Sequence, residues 1–62
     1  MDSETREQLG GDFEKVAEKI NDLASELAHN NKNVNEFISE METHCQKLQE
    51  VIGLAKSLAG RN

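Results

Sequence analysis

Three residues of the 62-residue chain, Met41, His44 and Cys45, have side chains and a spacing that could hold a metal. On a helix, residues three and four apart share a face. A thioether, an imidazole and a thiol would therefore converge, a donor set that suits Cu(I) or Zn(II). The same positions fall on the apolar side of their segment. There methionine fills gaps and cysteine behaves as a small hydrophobe. Packing is the simpler account, and no metal or other cofactor is expected.

His44 invites a second chemistry. A buried imidazole resists protonation, so acid would loosen any core built around it. His44 is thus a candidate pH-sensitive core residue. Cys45 is the only cysteine, so it cannot form an internal disulfide. It could link two chains across a two-fold axis, but an inert buried thiol is the simpler reading.

Nothing else looks like a reacting centre. There is no Ser/His/Asp set, glycine-rich phosphate loop or pair of carboxylates in a concave setting. Catalysis is not expected, and neither is a small-molecule substrate. Twelve acidic residues against seven basic ones give a net charge of −5. Arg6, Lys15, Lys19, Lys32, Lys47, Lys56 and Arg61 are scattered among the acids, whereas nucleic-acid binding needs a clustered basic face. No apolar run reaches the roughly 18–20 residues that span a bilayer, and no secretory signal is visible. With one unpaired thiol, this reads as an intracellular, cytoplasmic chain.

These residues are positioned by a long amphipathic stretch, Val34 to Ala59. Its apolar residues recur at three-and-four spacing for about seven turns, the mark of a helix with one greasy face. A second such pattern runs from Phe13 through Val16, Ile20, Leu23 and Leu27 to Ala28, with Asp12 as a good N-cap. Proline is absent, and no segment alternates as a strand would. Residues 1–11 read as a flexible leader. Thr5 with Gln8 allows a turn of helix there, but Gly10 and Gly11 each cost about 1 kcal/mol in a helix interior.

Between the two patterns lie four asparagines in six residues, Asn30 to Asn35. Asparagine tolerates the left-handed conformation that ends helices, and Asn33 with Glu36 has capping-box spacing. The expected plan is a helix over 12–29, a turn over 30–33, a helix over 34–59 and a tail at 61–62, with Gly60 as the terminating residue. So short a connection makes the helices antiparallel neighbours. A rival plan is one continuous helix of about 50 residues in a three- or four-stranded coiled coil. It draws on a heptad register that runs through the break. Phe13, Ile20, Leu27, Val34, Met41, Leu48 and Ala55 stand at a. Leu9, Val16, Leu23, Asn30, Phe37, His44, Val51 and Leu58 stand at d. A polar Asn30 at d could then set register.

The flanking positions favour the hairpin. Position g carries Asp12, Lys19, Glu26, Glu40 and Lys47, but e carries Ala17, Ala24, Ile38, Cys45 and Ile52. An apolar e beside a and d widens the stripe beyond a two-stranded seam, as a bundle requires. The first helix also comes out shorter, so the second would overhang it by roughly 13 Å at 1.5 Å per residue. One partner helix cannot cover so wide a stripe.

The expectation is therefore an all-α chain, an antiparallel two-helix hairpin that completes a bundle by association. Its expected role is protein–protein interaction or oligomerisation, as a small assembly or scaffold subunit. The partner would be a second copy or another helical protein. The partner-binding residues would be Val34, Phe37, Ile38, Met41, Cys45, Leu48, Val51, Ile52, Ala55 and Leu58. A small acidic regulator that masks its partner, such as a chaperone or inhibitor, is the first alternative. A nucleic-acid-binding hairpin dimer is the second.

Overall fold

A computed structural model describes residues 2–61; Met1 of the expected leader and Asn62 of the expected tail lie outside the described residues. Two α-helices make up the fold: α1, Ser3–Ala28, and α2, Val34–Ala59, packed side by side as a hairpin. The backbone measures 45 × 17 × 9 Å. A continuous helix of about 50 residues would be about 75 Å long, so the chain has doubled back.

The break forms where the asparagines accumulate. Asn30 has φ 60°, the one left-handed non-glycine residue among those described. Its N–H donates to the Leu27 carbonyl (3.1 Å), and the Asn31 N–H reaches back to the Glu26 carbonyl (2.9 Å). This pair of bonds is the Schellman closure of a helix. His29 adds to it, its Nδ1–H donating to the Ser25 carbonyl at 2.7 Å. Asn33 then starts α2, its side-chain oxygen accepting from the N–H groups of Asn35 (2.7 Å) and Glu36 (3.4 Å). Asn30 is exposed and ends a helix, so it sets no coiled-coil register.

The start of α1 departs from expectation. The helix begins at Ser3, not at Asp12, and passes through Gly10 and Gly11 without interruption. Asp2 caps it, accepting from the Thr5 N–H at 2.7 Å. That bond holds the Asp2 carboxyl below its ordinary value of 3.8. Residues 2–11 therefore do not form a loose leader. Two glycines weaken a helix by about 2 kcal/mol together, and this loss is offset by what the extra turns cover. Leu9 lines a cleft with Leu54 and Leu58 near the end of α2.

With this extension both helices are 26 residues long, and the expected 13 Å overhang is absent. At the far end Gly60 caps α2 with φ −67°, so its left-handed freedom goes unused.

The core is thin. Among the described residues only Val16 (4% exposed), Leu23 (4%) and Val51 (5%) are buried, and all three stand at d. The a residues Phe13, Ile20, Leu27, Met41, Leu48 and Ala55 are half-buried. The hairpin seam is thus centred on d, with a beside it. A single layer of helix 9 Å thick has no second layer to enclose a full core.

Candidate interaction face

Centring the seam on d gives the slab two unlike broad faces. Around a heptad wheel, g flanks d on one side, and a followed by e flanks it on the other. One face gathers g and c residues of both helices. Asp12, Lys15 and Lys19 of α1 line a cleft with Lys47 and Glu50 of α2, above the buried Val16 and Val51. Further along, Asp22, Glu26, Glu40 and His44 border a second cleft over Leu23. This face is polar.

A cation from the loop ties it together. Lys32 Nζ bridges Glu26 of α1, at 2.9 Å, and Glu40 of α2. These contacts raise the Lys32 pKa, chiefly through the bond to Glu40 and then that to Glu26. Nothing in the heptad pattern marks Lys32, because its partners lie six and eight residues away and meet only once the chain has turned. The same folding brings Lys15, Lys19 and Lys47 together, which the scattered sequence positions do not reveal. Asp12 and Glu50 in the same cleft leave the group close to neutral.

The opposite face carries a and e. From Phe13 to Ala59 no residue at either position is charged. Ile38, at e, is 47% exposed, and Cys45 is exposed beside it. These two form a shallow apolar depression with Phe37 and Met41, bordered by Glu42, Gln46 and Gln49. Val34 is 60% exposed at the loop end of this face.

The ten residues read from sequence as partner-binding therefore divide. Val51 is buried inside the hairpin and is not available to a partner. Leu58 is half-buried beside Leu54 and Leu9 on the polar side. Phe37, Met41, Leu48, Ile52 and Ala55 keep part of their surface free, while Val34, Ile38 and Cys45 are exposed. Reading α2 alone missed the contribution of α1, whose Phe13, Ile20 and Leu27 are half-exposed at the equivalent a positions. Their heptad letters were the available signal.

His44 is half-buried rather than enclosed, and it borders the polar cleft with Asp22, Glu26 and Glu40. Burial, the premise for a pH-sensitive core residue, is incomplete. Met41 and Cys45 line the apolar depression while His44 lines the polar cleft, so the three do not meet around one point. Among the described residues no three His, Cys, Asp or Glu side chains are grouped to hold a metal ion. No described helix is long and apolar enough to cross a membrane.

Comparison of the chain with protein-family models, with curated proteins and with solved structures returns no match.

Proposed function

We propose that the chain is a protein–protein interaction module, a small helical assembly subunit that works through the uncharged a/e face of its hairpin. The observation that carries this reading is the contrast between the two broad faces. The polar face is furnished with ion pairs suited to water and exposes one large apolar side chain, Leu54 at 48%, while the other carries no charge and leaves Val34 and Ile38 about half exposed. An apolar face rimmed by polar residues marks a protein contact more often than a bare surface. A core of three residues also gives a chain of this size little stability of its own. Covering the face adds the missing layer.

The test is light scattering after size exclusion on the tagged chain from its expressing cells, beside an Ile38→Lys/Ile52→Lys variant. The wild-type chain should elute in a complex heavier than itself, and the variant should lose that complex. A wild-type chain that elutes at its own mass would defeat the reading.

A further inference from the structure

We infer that the occupant of the a/e face is a second copy of this chain, giving a four-helix homodimer of two face-to-face hairpins. This rests on the interaction reading above and names the partner.

The first argument is area. The chain exposes 4848 Å². A compact monomer of its 6.9 kDa mass would expose about 4,000 Å² by the scaling that folded monomers follow. The excess is roughly 850 Å², close to the roughly 800 Å² that each partner contributes to a standard stable interface.

The second argument is shape. The slab is 45 Å long and 17 Å wide. One helix from a partner, about 10–12 Å across with its side chains, would leave part of that width uncovered. A second hairpin matches both dimensions and seats its own a and e residues on those of the first. Stacked helix layers lie about 8–10 Å apart, so the two copies would form one bundle with a continuous core.

The third argument is charge. Each copy carries a net charge of −5, and association of like-charged chains is opposed wherever the charges are brought together. Here Ile20, Leu48, Ile38 and Ile52 can be buried with no ionised group among them, because the charged side chains from Phe13 to Ala59 stand at other heptad positions. Glu14 and Glu42 fall at b, on the rim, where water screens them.

The experiment is sedimentation equilibrium of the full chain alone from micromolar to millimolar concentration, with thermal melting followed by circular dichroism on the same samples. The expected mass is twice 6.9 kDa, with a midpoint that rises with concentration. Ile38→Lys places a charge in the interface and should weaken the dimer at least about tenfold. Lys15→Glu, on the polar face, should leave it unchanged. Ile38 is half exposed in the single hairpin, so its substitution spares the d seam.

A chain that is monomeric and poorly ordered at all concentrations overturns the second copy as occupant but leaves an interaction module that needs a different partner. A monomer that melts cooperatively at a midpoint independent of concentration overturns both. A dimer that Lys15→Glu disrupts as strongly as Ile38→Lys places the contact on the wrong face and overturns the inference.

Discussion

Leu9 of α1 and Leu58 of α2 line one cleft near the open end of the hairpin, 49 positions apart in the chain. Their meeting explains why residues 3–11 are helical despite two consecutive glycines. Each additional turn of α1 covers apolar surface on the last turns of α2 that would otherwise face water.

Gly10→Ala and Gly11→Ala should each stabilise the fold. A Cβ at either position meets nothing within 4 Å, and both residues lie inside α1. The expected gain is about 0.5–1 kcal/mol each, from the lower conformational freedom of alanine in the unfolded chain. Chemical denaturation of the two variants measures it. Gly53→Ala, equally open within α2, serves as a comparison. A loss of stability at Gly10 or Gly11 would mean that the N-terminal turns are not helical in solution.

Leu23→Ala should do more harm than any single substitution on the exposed faces. Leu23 is 4% exposed over the seam, and such truncations cost about 2–5 kcal/mol. That equals the whole stability expected of a small single core, about 3–5 kcal/mol. Helical circular dichroism at low micromolar concentration should fall to that of a largely unfolded chain. An Ala substitution at the exposed Gln46 should leave the signal intact.

Asn30 should accept glycine and reject β-branched residues. Its φ of 60° lies in the left-handed region, which costs a typical L-residue about 1–2 kcal/mol. Asn30→Gly should match or exceed the wild-type melting temperature, and Asn30→Val should lower it. Equal melting of the two variants would argue for a different turn.

Among the described residues, two groups with shifted ionisation give opposite pH dependences. Asp2 has its carboxyl pKa lowered by the Thr5 N–H, so its contribution is present above the ordinary value of 3.8 and fades as pH falls through the lower folded value. Asp2→Asn should retain the cap while removing this acid-side loss. Lys32 has its pKa raised by Glu40 and Glu26. The lysine's contribution to the link between loop and helices is present below the ordinary value of 10.5 and is lost as pH rises toward the higher folded value. Lys32→Met should remove the alkaline loss and leave the Asp2 cap in place. Melting curves across pH for the two variants separate these effects.

The sequence by itself determined the helices, the break and most of the greasy surface. Those features follow from local physics. Apolar spacing sets which side of a helix avoids water, and Asn30 and Asn33 close and reopen the backbone with bonds made within a few residues. The tertiary structure decided how the stripe is divided. It put d in the seam and left a and e facing outward, so that Val51 is buried and Ile38 is bare. It also carried α1 back to Ser3 and joined Lys32 to Glu26 and Glu40. Each of these depends on atoms far apart in the chain. Whether a glycine pair is tolerated, or a lysine paired, depends on what the other helix brings alongside, and no window of neighbouring residues contains that information.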